Sequence, residues 1–465
     1  MSYSVIAPWA RVQQAWQENV LLQWDQQGTL VKVESNYQPE PNSSIPRLSG
    51  PVIAGMPNLH SHAFQSAMSG LTEYRGQTQD SFWSWRDLMY RFASKLEPQH
   101  IEAIATWLYI QMLKSGYTSV CEFHYTHHQA SGQAYSPISL LAQAVMQAAS
   151  HSGIGITMLP VLYQYSGFGA QPPQAAQGRF LNEPEQLLRI LLELQKQHPI
   201  SAQRAYGVAP HSLRAVSPES LKQMVALMDQ HFPNSPIHIH IAEQTAEVEA
   251  CVALHQQRPV EWLLNHMEVN ERWCLVHATH LTEAEVQRAA ASRSVAGLCL
   301  TTEANLGDGI FPAKDYLAAQ GRIGVGSDSH IAVDWRAELR LLEYGQRLLH
   351  RQRNVLCQAD QPQVADFLFD ASVAGGAQAT GRQVNGLAVG QQADFLVLNA
   401  DDPILAEHSS DTWLSALVFS ERAGSQPIRD VYVAGQTVIT DGHHAQEDQA
   451  WQNYRQTLRH LLQHS

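Results

Sequence analysis

Two histidines stand two residues apart in PNLHSH, at His60 and His62, and the spacing recurs in HIHIAE, at His238 and His240. Residues two apart on an extended segment share a face. Each pair could therefore turn both imidazoles toward one divalent ion at Zn–N distances of about 2.0–2.1 Å. Spacing alone proves little: 23 of the 465 residues are His, so about one such pair is expected by chance. Where the histidines fall in the chain carries the argument.

Short β-branched apolar runs alternate with stretches of helical periodicity, the pattern of βα units and a parallel sheet. Eight runs read as strands, at 51–59, 118–123, 155–162, 205–209, 236–241, 273–276, 295–300 and 322–326. Helix-like stretches lie between them, among them 100–115, 137–152, 183–198, 218–231 and 336–351. Ser217 ahead of Pro218 and Glu219 places a capping hydroxyl before a proline in the first helical turn. This count predicts an α/β fold, a (β/α)8 TIM barrel. Strand-like alternation also occupies residues 1–50 and the chain after about 385, where RDVYVAGQTVITDG reads as a hairpin turning at Ala-Gly. The two ends are expected to pair in one small β-sandwich. The predicted organisation is 1–50 in the sandwich, 51–380 in a metal-dependent catalytic barrel, and 381–465 in the rest of the sandwich plus a terminal helix.

In such a barrel catalytic groups sit at the C-terminal strand ends. The first run ends PNLHSH, the second EFHY, the fourth APHSLR, the fifth HIHIAEQ, the sixth VHATH and the eighth GSDSH. Scattered histidines such as His151, His198, His255 and His350 are assigned to solvent, but six of eight strand ends carrying His or Asp is hard to reach by accident. The expected metal ligands are His60, His62, His240 and Asp328. His238, further from its strand end, is read as a buried neighbour, and His330 as a support for the site or a solvent residue. Three His and one Asp leave room for a water, whose pKa zinc lowers from about 15.7 to about 7. Asp328 could also take that water's proton. Glu243, three residues past His240, could carry a proton to a substrate nitrogen, and His277 could stabilise charge on the oxygen or polarise the leaving group. The blander readings are a turn Asp at 328 and a surface Glu opening a helix at 243.

Composition narrows the partners. Thirty Lys and Arg against 43 Asp and Glu give a net charge of −13, which argues against nucleic acid and anionic membrane surfaces. A small acidic substrate stays open, because a few local Arg forks suffice to bind its carboxylates. Arg214, three residues past His211 at the fourth strand end, and Arg86, in the aromatic stretch FWSWR, are the candidates. The FWSWR stretch could fold over the pocket as a lid. Cys121, Cys251, Cys274, Cys299 and Cys357 are odd in number and form no CxxC, which fits a reduced, cytoplasmic setting. No signal-like start and no 18-residue apolar run suggests secretion or membrane spanning. A homodimer is expected as the commonest assembly.

The order HxH, HxxE, lone His, Asp resembles the amidohydrolase superfamily, in its zinc deaminase branch. GMPNLHSH, HIHIAEQ and GSDSH are similar to that branch's first, fifth and eighth strand motifs, and GLAVGQQADFLVLN to the return of the chain into its small β-sandwich. Two-metal members usually bridge their ions with a carboxylated Lys on the fourth strand. AYGVAPHSLR has no Lys there, so the resemblance implies one ion per chain, zinc being expected although other divalent ions suit the same donors. PNLHSHAFQ, SFWSWRDLMYR, EFHYTHH, GVAPHSLRAV and TTEANLGDGIFP resemble the members that deiminate N-formimino-L-glutamate in histidine degradation. That likeness implies substrate contacts at Gln65, Arg86, Tyr125, His211 and Arg214, and a small dicarboxylate as substrate. The rival readings are a related deaminase or chlorohydrolase acting on a purine, pyrimidine or triazine ring, and a metal-binding barrel without catalysis. A planar neutral ring would call for stacking rather than two Arg, and a mere metal binder would not need Glu243 and His277.

Overall fold

The structure, a computed structural model, describes residues 2–73 and 82–463. Four strands come first: β1 (Tyr3–Val12), β2 (Ala15–Trp24), β3 (Leu30–Glu34) and β4 (Val52–Ala54). The central strands follow as β5 (Met56–Ser61), β6 (Tyr117–His124), β7 (Gly155–Leu162), β8 (Arg204–Tyr206), β9 (Ala209–Pro210), β10 (Ile237–Ile241), β11 (Trp273–His277), β12 (Val295–Leu298) and β13 (Arg322–Val325). The last three are β14 (Phe395–Leu398), β15 (Ile428–Val433) and β16 (Gln436–Ile439), before the terminal helix Glu447–Gln463.

The central strands form two wholly parallel sheets, β5-β6-β7-β8, with β9 also on β7, and β10-β11-β12-β13. Every residue of β6, β7, β10 and β11 is buried, as expected for parallel strands covered on both faces. Single parallel bridges join the sheets at both seams, Val208 to Ile237 and Ser212 to His240 on one side, Ser61 to Asp328 on the other. Helices return between successive strands, for example Pro98–Lys114, Leu140–Ser152, Pro184–Gln197 and Pro218–His231. The last of these starts as the sequence indicates, with Ser217 Oγ accepting from Ser220 N at 3.1 Å. Helix Val364–Thr380 packs on β5 and β13. Gly375 permits that approach, since a Cβ there would stand 1.9 Å from Ile323 O.

Two expected strands are broken. The run 51–59 divides at Gly55: β4 pairs with β1 and β14, and β5 starts the central set on β6. A Cβ on Gly55 would lie 2.2 Å from the Thr118 side chain, so the chain crosses between sheets where only Gly fits. The run 205–209 divides at Gly207–Val208, where β8 ends and β9 begins.

The two chain ends meet in one seven-stranded mixed sheet, ordered β16-β15-β14-β4-β1-β2-β3. Its core includes Val20, Leu22, Trp24, Leu30, Phe395 and Val397. The β15–β16 hairpin turns at Ala434 (φ 46°) and Gly435 (φ 73°), both left-handed, which matches the twist of the strands they join. Arg11 of this sheet pairs with Asp366 at 2.7 Å and Asp370 at 2.6 Å on helix Val364–Thr380. The molecule is thus an α/β fold built on parallel sheets. No helix among the described residues is long and apolar enough to cross a membrane.

Candidate active site

The C-terminal ends of the central strands bring the expected ligands together. His60 closes on His62 with Nε2 atoms 3.1 Å apart and on His240 at 3.0 Å. Asp328 Oδ1 stands 3.6 Å from His60 Nε2 and 3.4 Å from His62 Nε2. The rings are aimed from behind. His62 Nδ1 donates to Phe123 O at 2.9 Å, and His240 Nδ1 donates to His211 O at 3.1 Å. A proton on Nδ1 leaves the lone pair on Nε2, so these two imidazoles present lone pairs to the same small space. Burial first, and then the neighbouring histidines, hold His60 and His240 well below the ordinary imidazole range. His62 is pushed down to about 3, burial again being the main cause. Burial lifts the Asp328 carboxyl to about 7, with His277 opposing the rise. Converging neutral nitrogens and a buried carboxylate make a donor set for a divalent cation. Tetrahedral ligands at about 2.0–2.1 Å from zinc would lie about 3.3 Å apart, within the spread of separations seen here.

Glu122, from EFHY, holds the ligand strand in place. It accepts from Ser61 Oγ at 2.7 Å and Ala63 N at 2.7 Å, on either side of His62, and from Tyr109 Oη at 3.0 Å. His330 is buried between Ser61 Oγ and Ser327 Oγ, at 3.3 and 3.0 Å, and so supports the site. His238 Nε2 donates to Ala379 O at 2.8 Å, away from the ligand cluster. His151 is exposed, and His198, His255 and His350 are half-buried away from the cavity.

His277 lies beside the ligands, stacked on His240 with centroids 5.5 Å apart. Its Nε2 is 3.8 Å from both Glu243 Oε1 and Asp328 Oδ2. Burial alone would lower this imidazole, but Glu243, Glu303 and Asp328 outweigh it and raise the group to about 10. His277 (φ 67°) and Asp328 (φ 46°) both hold left-handed backbone, the kind of strain that collects where side chains must be aimed.

A cavity lies over this cluster, with about 530 Å³ of empty space counted out through its open mouth. His62, His240, Glu243, His277 and Asp328 are among its lining residues. All five expected contact residues, Gln65, Arg86, Tyr125, His211 and Arg214, line it too. Gln65 Nε2 donates to Tyr125 Oη at 2.6 Å. Arg214 is buried, which by itself would lower its pKa, yet Glu247 and Glu243 keep it raised and fully charged. Arg86 projects from helix Phe82–Ala93 beside Trp85, Met89 and Tyr90. Residues 74–81, the approach to the stretch expected to act as a lid, lie outside the described residues.

Other residues enter that the sequence reading did not single out. Glu303, in helix Leu300–Leu306 after β12, places Oε1 3.3 Å from His277 Nδ1. Its signal was present in TTEANLGDG, directly after the seventh run, one of the two that supplied no His or Asp. Tyr90 and Tyr163 line the cavity and share Gln177, whose Nε2 donates to Tyr90 Oη at 3.0 Å and to Tyr163 Oη at 2.8 Å. Nothing local in the sequence marks Gln177.

Comparison with known proteins agrees with this arrangement. The amidohydrolase family profile matches residues 52–438. Formimidoylglutamate deiminase of Pseudomonas aeruginosa is 48% identical over 461 residues, covering 99% of each chain. An amidohydrolase crystal structure from Brucella melitensis superposes with a TM-score of 0.91 at 42% identity, over 99% of this chain and 100% of that one. An adenosine deaminase from Xanthomonas campestris, solved with bound zinc, shares the fold at 20% identity, with a TM-score of 0.80 over 99% of this chain and 98% of that one. Fold, site geometry and relatives converge, and the chain belongs to the amidohydrolase family.

Proposed function

We propose that this protein hydrolyses N-formimino-L-glutamate to N-formyl-L-glutamate and ammonia. The observation that carries the reading is that His62, His240, Asp328, Glu243 and His277 line the same cavity as Arg86 and Arg214. The Pseudomonas relative's name adds support from an independent direction. His60, His62, His240 and Asp328 would hold one ion, zinc fitting the donors. When bound, that ion supplies Lewis acidity and a water acidic enough to attack at neutral pH. Asp328 Oδ2 accepts the water's proton as oxygen joins the formimino carbon. Glu243 gives a proton to the imine nitrogen and takes the proton of the new hydroxyl, while Asp328 passes the proton it accepted to the same nitrogen, so that C=O forms, the C–N bond breaks and ammonia leaves. His277, between the two carboxylates, stabilises the charge that develops on oxygen. Arg214 and Arg86 pair with the two carboxylates of the glutamate, while Gln65, Tyr125 and His211 complete the pocket around its backbone.

On the same reading the two parallel sheets form one (β/α)8 barrel, supported by the bridges at both seams. The divisions 1–50, 51–380 and 381–465 separate it from a small β domain made of both ends. The test is ammonia release from N-formimino-L-glutamate beside guanine, cytosine and adenosine. Release from the formimino compound alone is expected. Activity on a ring substrate with none on the formimino compound would overturn the assignment.

A further inference from the structure

We infer that Glu303 is a positioning residue for this reaction, holding the His277 imidazole so that Nε2 faces the reacting atoms; the inference rests on the function proposed above. His277 presents two nitrogens to two different surroundings. Nδ1 meets Glu303 Oε1 at 3.3 Å, and Nε2 stands 3.8 Å from both Glu243 Oε1 and Asp328 Oδ2. An imidazole needs its plane and its rotation within that plane fixed before one nitrogen can serve a reaction. Stacking on His240, with 11° between the rings, fixes the plane. The Nδ1–H to Oε1 bond fixes the rotation and keeps the proton on Nδ1 whenever the ring is neutral. A carboxylate behind the imidazole is the arrangement by which hydrolytic His residues are held in one tautomer.

Glu303 is itself set firmly. It is 1% exposed, and Oε1 also accepts from Cys299 N at 2.9 Å. Its Oε2 is buried and has no hydrogen-bond partner among the described residues. A buried carboxylate with one oxygen unsatisfied is costly, and a helix-start contact to Cys299 N would be met as well by an uncharged side chain. Among the described residues its ion-pair partner is His277. The side chain therefore serves the imidazole more than the helix.

The experiment compares Glu303→Gln and Glu303→Leu in the wild-type and His277→Asn backgrounds. Metal content, calorimetric binding of N-formyl-L-glutamate, and kcat and KM on N-formimino-L-glutamate are measured for each. In the wild-type background Glu303→Leu should lower kcat per ligand-binding site by roughly 100- to 1000-fold, the range for losing one donor to a developing oxyanion. Metal content should hold, and KM and product affinity should stay within about threefold. Glu303→Gln keeps an acceptor oxygen for Nδ1 and should recover at least about tenfold of that loss. In the His277→Asn background either change should cost less than about threefold more, because groups acting as a unit are not additive. Equal losses in both backgrounds, or unchanged kcat per site in Glu303→Leu, would overturn the inference. Wild-type protein silent on N-formimino-L-glutamate would instead overturn the substrate reading, and this inference with it.

Discussion

On the strand side of the cavity His60, His62, His240 and Asp328 stand at or just beyond the ends of β5, β10 and β13, and backbone carbonyls at Phe123 and His211 hold two of the rings. Elsewhere on its lining Arg86 and Tyr90 come from helix Phe82–Ala93 and Phe180 from the short turn Ala175–Phe180, whose Gln177 bonds Tyr90. The strand side is fixed by hydrogen bonds repeated from residue to residue. The helix side is fixed by side chains meeting across long separations, such as Gln177 to Tyr90. Aiming by strands gives the tight geometry that bond-making needs. Aiming by helices and loops leaves identity to vary, which suits the choice of substrate. Damage on the strand side should therefore appear in kcat, and damage on the helix side in KM or in selectivity.

The largest expected effect lies on the strand side. Glu243→Gln should keep the ion and lower kcat by at least about a hundredfold, the low end for a general acid or base. His277→Asn should behave alike. Metal analysis beside steady-state kinetics checks both, and near-normal turnover with full metal content would remove the role. Next comes Arg214→Ala, in the stretch after β9. Truncating one partner of a desolvated charge pair costs about 2–5 kcal/mol, so kcat/KM should fall roughly 30-fold to several thousand-fold. A formimino compound lacking the matching carboxylate should lose far less on the variant than the full substrate does. Equal losses would assign Arg214 to holding the fold, where Glu247 and Glu243 already surround it.

The same contrast explains what could be read from the chain. His60 and His62 were legible because the strand period is two and their run is the first of eight. Asp328 was legible because it closes the last. Gly55 was read through, since apolar residues on both sides gave no change of period, although a Gly inside a strand is where a chain can change sheets. The paired chain ends were expected as a sandwich and are one sheet, because alternation shows which residues face inward but not how strands are ordered. Glu303 was missed for a related reason. The apolar pattern of the seventh run continues to residue 300, whereas β12 stops at Leu298 and a helix begins at Leu300. The acid therefore lies inside a helix and not at a strand tip. Gln177 is beyond such reasoning, because its partners Tyr90 and Tyr163 are joined to it only by the fold.

The smallest effect tests the point where the two sides meet, at Tyr163 directly after β7 and Tyr90 on helix Phe82–Ala93. Gln177 Nε2 donates to both tyrosine hydroxyls, which are themselves 3.2 Å apart. Each hydroxyl oxygen accepts from the amide, and each still has one proton to place. One proton can bridge to the other hydroxyl, but the second cannot also be spent within the pair. With both rings lining the cavity, that remaining O–H is available to a substrate carboxylate held by Arg86 or Arg214. Tyr163→Phe deletes one hydroxyl and keeps the ring, whose centroid lies 4.7 Å from that of His211. Losing one such hydrogen bond should cost about 1–1.5 kcal/mol, a rise in KM of roughly five- to twelvefold. The ion ligands, Glu243 and His277 are untouched, so kcat should stay within about twofold and metal content should not change. A fall in kcat with KM constant would place the tyrosine with the reacting groups and erase the distinction between the two walls at this point. An unchanged KM would show that the hydroxyl pair closes on itself and offers nothing to the substrate.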